Sequence, residues 1–99
     1  MFDIEPFLPK IKEICKKYEA KSLMLFGSAL TEEFDPQKSD LDFLLELYGF
    51  RKGLKRYLAI KLELENLLHK EVDLVMPEAI ENPYLKKSIF SRVKSCYES

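Results

Sequence analysis

Eight residues in the middle of the chain show a two-residue periodicity of side-chain character, which is the periodicity of an extended β-strand. Residues 40–47 read Asp-Leu-Asp-Phe-Leu-Leu-Glu-Leu. Successive side chains of a β-strand point to opposite faces of the sheet. One face therefore carries Asp40, Asp42, Leu44 and Glu46, and the other is wholly apolar. This pattern predicts a strand with one buried face and one face that presents carboxylates.

The apolar residues on either side predict a small number of further elements. Apolar spacings of three and four residues indicate helices, and short apolar runs ended by Gly or Pro indicate buried strands. The predicted helices are 4–19, a short one at 29–34, 54–69, and a last one from Asn82-Pro83 to near Cys96-Tyr97; the predicted strands are 23–26, 40–47 and 71–76. This order predicts an α+β (two-layer α/β) fold in which a small mixed β-sheet has its helices packed mainly on one face.

Length and composition exclude several classes of protein. A chain of 99 residues predicts a single domain over residues 1–99, and 46% apolar with 33% charged residues is typical of an ordinary globular domain. A formal net charge of −1 argues against general nucleic-acid binding, which needs a broad basic field. No apolar run reaches the ~20 residues of a membrane span, and the N-terminus does not resemble a signal peptide. Cytoplasmic localisation is expected, with Cys15 and Cys96 as reduced, buried thiols.

Gly27 and Ser28 end the first predicted strand. Glycine lets a ligand approach the backbone closely, and free N–H groups at a helix start favour phosphate. The pair is therefore a candidate phosphate-binding turn. A simple helix N-cap formed by Ser28 explains the same two residues.

Three aspartates on two predicted strands form a candidate metal site. Asp40 and Asp42 are two residues apart on one strand face, which corresponds to about 6.6 Å along the strand. This spacing is suitable for the binding of two divalent cations. Asp73 lies inside the next apolar strand, where a charged side chain is unfavourable unless it is paired or bound to metal. It could complete the metal site or accept the proton of an attacking hydroxyl. Each aspartate alone is also compatible with a solvated strand face.

In this order, the motifs resemble the nucleotidyltransferase superfamily related to DNA polymerase beta, and in particular its minimal nucleotidyltransferase (MNT) branch. The fragments are Leu-Phe-Gly-Ser at 25–28, Ser-Asp-Leu-Asp-Phe-Leu at 39–44 and Glu-Val-Asp-Leu-Val at 71–75, and the ending from Asn82 to Tyr97 is similar as well. The resemblance covers nearly the whole chain and implies the polymerase beta-like nucleotidyltransferase fold.

The resemblance also implies roles for single residues. Gly27 and Ser28 would hold the terminal phosphates of ATP. Asp40 and Asp42 would bind two Mg²⁺ ions, and Asp73 would complete the metal site and help to deprotonate the acceptor hydroxyl. Many relatives place arginines directly after Gly-Ser to steady the triphosphate. Here residues 29–33 read Ala-Leu-Thr-Glu-Glu, without a basic residue.

For the biological role, the resemblance implies the antitoxin of a HEPN–MNT toxin–antitoxin pair. Such an antitoxin transfers AMP from ATP to a tyrosine hydroxyl of a HEPN ribonuclease toxin and so neutralises it. Two alternatives stay open at this point. One is an inactive or weak enzyme that neutralises its partner by binding alone, and the other is a small-molecule, antibiotic-type nucleotidyltransferase.

Two remaining features have simpler interpretations. The basic run Arg51, Lys52, Lys55, Arg56 and Lys61 is typical of a solvated helix face, although it could meet an acidic partner or phosphates. Lys38, Arg51 and Lys52 are candidates for the missing cation near the triphosphate. His69 is expected to be a cap or surface residue, since the chain has no second histidine with which to build a metal site.

Overall fold

A computed structural model describes all of residues 1–99 and contains three α-helices and one four-stranded sheet. In chain order the elements are α1 (Leu8–Lys17), β1 (Ala20–Phe26), β2 (Leu41–Leu47), α2 (Gly53–Leu68), β3 (Val72–Val75), α3 (Pro83–Phe90) and β4 (Lys94–Glu98). Single 3₁₀ turns occupy Glu5–Phe7, Gly27–Leu30 and Pro77–Ala79. None of the helices combines the length and the apolar character needed to cross a membrane.

The sheet is mixed, with spatial order β3-β2-β1-β4. β1 pairs antiparallel with both β2 and β4, whereas β2 and β3 are parallel. Parallel neighbours need a crossover, which α2 supplies between β2 and β3. The predicted α+β class with a small mixed sheet is confirmed.

The hydrophobic core lies between one face of the sheet and the helices α1 and α2. Strand residues Leu23, Leu25 and Phe43 are fully buried there. They meet Ile11 of α1 and Ile60 of α2, which are also fully buried. The apolar face foreseen for residues 41–47 is therefore the core face, and the helices pack mainly on that side.

The free edge of β3 is covered by three side chains of α2. The Tyr57 hydroxyl donates to the Leu74 carbonyl at 2.8 Å, and the Lys61 ammonium donates to the Val72 carbonyl at 2.9 Å. The Val72 N–H in turn donates to the Glu65 carboxylate at 3.0 Å. These residues are spaced by four, so they lie in one row along the helix. The row occupies backbone groups that an exposed edge strand would offer to another chain.

The predicted last helix is wrong beyond residue 90. α3 ends at Phe90, and Lys94–Glu98 forms β4, in which Leu25 pairs with Lys94 and Leu23 with Tyr97. Cys96 is buried because it lies in this strand against the core, not because it belongs to an amphipathic helix. The other predicted elements exist, with boundaries shifted by up to four residues; the short helix expected at 29–34 is the 3₁₀ turn Gly27–Leu30.

α3 connects the two edge strands of the sheet. β2 and β4 run in the same direction, because both are antiparallel to β1. β3 is parallel to β2, so β3 and β4 are parallel to each other as well. The face of the sheet opposite α1 and α2 carries the other side chains of β2, among them Asp42 and Leu44. α3 has no buried residue of its own. Leu44, on that opposite face of β2, is nevertheless only 1% exposed and lies outside the main core cluster.

Candidate active site

Asp42 and Asp73 are brought together by the pairing of β2 with β3. They are register partners in the parallel ladder, and neighbouring strands lie about 4.8 Å apart. Their neighbours Leu41 and Val72 point into the core and are buried, so both aspartates point to the opposite face. The pairing places two carboxylates side by side on the face away from α1 and α2.

Asp40 precedes β2 and is exposed. Its charge acts on Asp42, as described below, so it belongs to the same local cluster. No three side chains among the Asp, Glu, His and Cys residues of the protein converge into a ready-made metal-binding group. The backbone assembles the pair Asp42–Asp73, and Asp40 lies beside that pair.

Gly27 lies against Asp42 at the end of β1. Phe26 is the register partner of Asp42, and Gly27 follows it with a φ of +79°. A Cβ atom built on Gly27 would lie 2.7 Å from Oδ2 of Asp42, closer than real Cβ atoms approach an oxygen. The left-handed backbone favours glycine, and a side chain at this position would displace the Asp42 carboxylate. The turn therefore brings its backbone next to the aspartate pair.

Ser28 does not cap a helix. The 3₁₀ turn Gly27–Leu30 has Phe26 at its N-cap position and no side-chain cap. The Ser28 carbonyl accepts the N–H and the hydroxyl of Thr31, which holds the turn. The Ser28 hydroxyl itself has no role in capping, so the simpler interpretation of this residue does not account for its presence.

The electrostatics of the cluster centre on Asp42. Burial raises the pKa of the Asp42 carboxyl above its usual range, and the charges of Asp73 and Asp40 raise it further. Mutual repulsion of this kind disfavours the ionised state unless a cation is present. The three aspartates are thus close enough to interact, on a surface where a positive ligand would relieve the repulsion.

The donor set fits a magnesium ion. Carboxylate oxygens are the hard ligands that Mg²⁺ prefers, and the ion is commonly held by one or two carboxylates together with substrate phosphates. Asp42 and Asp73 provide such a pair, and Gly27 and Ser28 provide the adjacent turn where phosphates could bind. A pair of protein carboxylates completed by a nucleotide is compatible with this arrangement.

The basic run that precedes and begins α2 divides into structural and exposed residues. Arg56 is used by the fold, since its guanidinium donates to the carbonyls of Tyr18 and Glu19, both at 2.8 Å. Lys61 covers the edge of β3. Arg51 and Lys52 are exposed beyond the far end of β2, and that end lies about 16 Å along the strand from Asp42 at ~3.3 Å per residue. They do not supply the cation that the Gly27 turn lacks.

The structure places one basic residue near this turn that sequence reasoning did not consider for the site. Arg92 lines a shallow hollow together with Leu30, Thr31, Glu32, Glu33 and Met1. Its position depends on the pairing of β4 with β1, which the predicted last helix concealed. Only the prediction of a strand at residues 94–98, in place of a helix, would have indicated that Arg92 lies near the turn.

His69 and the cysteines lie away from the cluster. His69 is the exposed, left-handed residue that ends α2, as expected for a cap. Cys15 and Cys96 are both buried and free, also as expected.

Comparison with known proteins identifies the family. The family model described as "Nucleotidyltransferase domain" matches residues 8–96. Two proteins of Methanocaldococcus jannaschii with the provisional name of protein adenylyltransferase are similar over most of the chain. One is 44% identical over 88 residues and the other 43% identical over 90, in each case covering 88% of this chain and 88% of the relative.

Solved structures show the same architecture. One that is provisionally described as a minimal nucleotidyltransferase has a TM-score of 0.76 and 27% identity, and covers 91% of this chain and 89% of that one. A toxin–antitoxin complex with AMP-PNP has a TM-score of 0.70 and 19% identity over 93% of this chain and 73% of that one. An MNT antitoxin in complex with a Shewanella oneidensis HEPN toxin has a TM-score of 0.66 and 18% identity, and covers 98% of this chain and 74% of that one. At these lower identities the last two show the fold alone.

The chain is a nucleotidyltransferase by fold and by sequence family. It belongs to the nucleotidyltransferase domain family and has the architecture of the minimal nucleotidyltransferases.

Proposed function

We propose that residues 1–99 form a single minimal nucleotidyltransferase domain that transfers AMP from ATP to a tyrosine hydroxyl of a HEPN-type toxin, and that this antitoxin activity neutralises the toxin in the cytoplasm. The observation that carries the proposal is the register pairing of Asp42 with Asp73 beside the left-handed turn at Gly27. The names of the M. jannaschii relatives and the toxin–antitoxin complexes of the same fold support the type of acceptor.

In the proposed reaction, the acceptor oxygen bonds to the α-phosphorus of ATP while the bond to pyrophosphate breaks. Gly27 and Ser28 hold the terminal phosphates, and Asp73, which is exposed, takes the proton of the acceptor hydroxyl. Asp40, Asp42 and Asp73 would hold two Mg²⁺ ions, which stabilise the charge on the attacking and leaving oxygens when they are bound.

An exposed apolar strip supports a protein as the acceptor. Leu54, Leu58 and Leu62 are spaced by four on α2 and are 73%, 53% and 59% exposed. Phe50, which lines one groove with Leu54, is 99% exposed. Large apolar side chains in one exposed strip are typical of surfaces that bind other proteins. A small acceptor molecule would not require such a surface.

The test is label transfer to a co-purifying protein. The chain is recovered from its native host with its partner and incubated with Mg²⁺ and ATP labelled on the α-phosphate. We expect label on the partner, AMP on one of its tyrosines by mass spectrometry, and no label from γ-labelled ATP. The Asp42→Asn variant should transfer nothing. Glu46→Gln, a change on the same face of the same strand, should transfer normally.

Two results would contradict the proposal. Label that persists in Asp42→Asn would exclude a catalytic role for the aspartate pair. A stable partner without label in the wild-type sample would exclude adenylyl transfer altogether.

The second candidate is an antitoxin that acts by covering its partner, and one observation favours it. The segment after Gly27-Ser28 carries Glu32 and Glu33, both exposed, in place of basic residues. Stabilisation by metal separates the two candidates. If the cluster is a working site, Mg²⁺ raises the unfolding temperature of the wild-type protein and not that of Asp42→Asn. In a purely covering protein, Mg²⁺ shifts the unfolding temperature of neither.

A further inference from the structure

We propose that Arg92 binds the β- and γ-phosphates of the nucleotide and replaces the arginine that the segment after Gly27-Ser28 lacks. This inference rests on the proposed function, because it assumes that a nucleoside triphosphate binds at the Gly27 turn. It assigns a substrate-binding role to a residue on the α3–β4 connection, far from the turn in sequence.

Arg92 and Gly27 both lie just past the end of the ladder between β1 and β4. β4 pairs antiparallel with β1, and Lys94 is the partner of Leu25. Arg92 comes two residues before Lys94 and Gly27 comes two residues after Leu25, so both residues lie close in sequence to this last pair. An independent observation agrees with this, since Arg92 lines one hollow with Leu30 and Thr31 of the same turn.

The guanidinium of Arg92 is available for a ligand. The side chain is exposed and takes part in none of the hydrogen bonds or ion pairs that engage nearby basic groups. The neighbouring Lys94, by contrast, is paired with Glu5 at 2.6 Å. A guanidinium can donate two parallel hydrogen bonds to a phosphate, which makes arginine the usual residue for this task.

Two carboxylates in the same hollow make Arg92 necessary. Glu32 and Glu33 line it together with Arg92, and no other basic residue does so. Without Arg92, a triphosphate at the Gly27 turn would face two carboxylates with no basic side chain beside them. Removal of the arginine should therefore weaken binding, and removal of the glutamate charges should strengthen it.

The test uses binding and does not depend on an acceptor. Calorimetric titration of the full chain with AMP-PNP and Mg²⁺ is compared with titration with AMP. We expect Arg92→Ala to weaken AMP-PNP binding about tenfold, as for the loss of one charge-assisted contact, and to leave AMP binding unchanged. Arg92→Lys should retain part of the affinity, because it keeps the charge without the bidentate geometry. Glu32→Gln with Glu33→Gln should tighten AMP-PNP binding several-fold.

The matched control is Lys87→Ala, which removes the same charge from an exposed position on α3. It should bind AMP-PNP as the wild type does. Equal affinities for Arg92→Ala and Lys87→Ala would overturn the assignment of Arg92 and leave adenylyl transfer intact. Wild-type protein that binds AMP-PNP no more tightly than AMP would also overturn it, and the label-transfer experiment then decides the proposed function separately.

Discussion

Asp42 lies half-buried beside two other carboxylates, and its ionised form destabilises the folded chain. Burial and the charges of Asp73 and Asp40 raise its pKa in the folded state. A raised carboxyl pKa means that the folded state binds the proton more tightly than the unfolded state does. At a pH above the folded-state pKa, ionisation therefore lowers the free energy of unfolding, and below the unfolded value of about 3.9 the penalty is absent.

The Asp42→Asn variant tests whether ionisation of Asp42 lowers the free energy of unfolding. Without divalent cations at pH 7 it should unfold at a higher temperature than the wild type, because the neutral amide removes the repulsion. The advantage should shrink as the pH falls through the folded-state pKa and vanish near the unfolded value. Thermal unfolding followed by circular dichroism across this range measures it. Glu71→Gln, an exposed change just before β3, should show no such trend, and a destabilised Asp42→Asn at pH 7 would contradict the electrostatic account.

The site could be predicted from the sequence only in part, and the reason is visible in single residues. The strict alternation at residues 40–47 fixes the face of Asp42, and the apolar neighbours of Asp73 fix its face in the same way. Their side-by-side register is given by the pairing of β2 with β3, which the alternation in each strand does not specify. The approach of Gly27 to Asp42 depends on the pairing of β1 with β2, and the position of Arg92 depends on the pairing of β1 with β4. No local pattern specifies either pairing.

Among the secondary-structure elements, α1 and α2 are tied together by Arg56. Its Nε and Nη2 donate to the carbonyls of Tyr18 and Glu19, at the C-terminal end of α1, and Nη1 donates to the carbonyl of Arg51 at 3.1 Å. Glu19 has a φ of +56°, a left-handed conformation that costs a non-glycine residue free energy. Arg56 thus satisfies carbonyls that the end of α1 leaves without a helical partner.

Replacement of Arg56 should be costly, and replacement of its neighbour should not. We expect Arg56→Met to lower the free energy of unfolding by about 2 kcal/mol, because several carbonyls lose a charged donor. Lys55→Met changes an exposed residue on the same helix and should stay within about 0.5 kcal/mol of the wild type. Urea denaturation provides the comparison, and the slope of the unfolding free energy against urea concentration should be unchanged in both variants. Equal values for the two variants would show that the three hydrogen bonds contribute nothing measurable.

The one element that was assigned wrongly shows where local patterns fail. Val93 and Cys96 are three residues apart, which suits the continuation of an amphipathic helix, but Cys96 lies in β4 opposite β1. The two strands are separated by almost the whole chain, so their pairing is invisible to any short window of sequence. α1, α2 and β2 were predicted well because their apolar periodicity extends over seven residues or more and points to one core.

At the scale of the whole molecule, the two cysteines connect the first helix with the last strand. Cys15 lies in α1 and Cys96 in β4, and both belong to the same core cluster. Burial, with a smaller contribution from Cys96, raises the pKa of the Cys15 thiol to about 12, and burial raises that of Cys96 to about 11. Reaction requires the thiolate, so neither group should react while the core is closed.

This arrangement predicts that both thiols become reactive in a single opening event. If the fold is cooperative, N-ethylmaleimide at pH 8 should modify Cys15 and Cys96 at the same slow rate, set by global unfolding, as peptide mass spectrometry can resolve. The rate should fall for both residues in Asp42→Asn by the same factor as the unfolding equilibrium constant, and both should react at once in concentrated urea. Faster reaction of Cys96 alone would mean that α3 and β4 open as a separate unit. In that case Arg92, which lies between these two elements, would be positioned by a segment that moves independently of the Asp42–Asp73 pair.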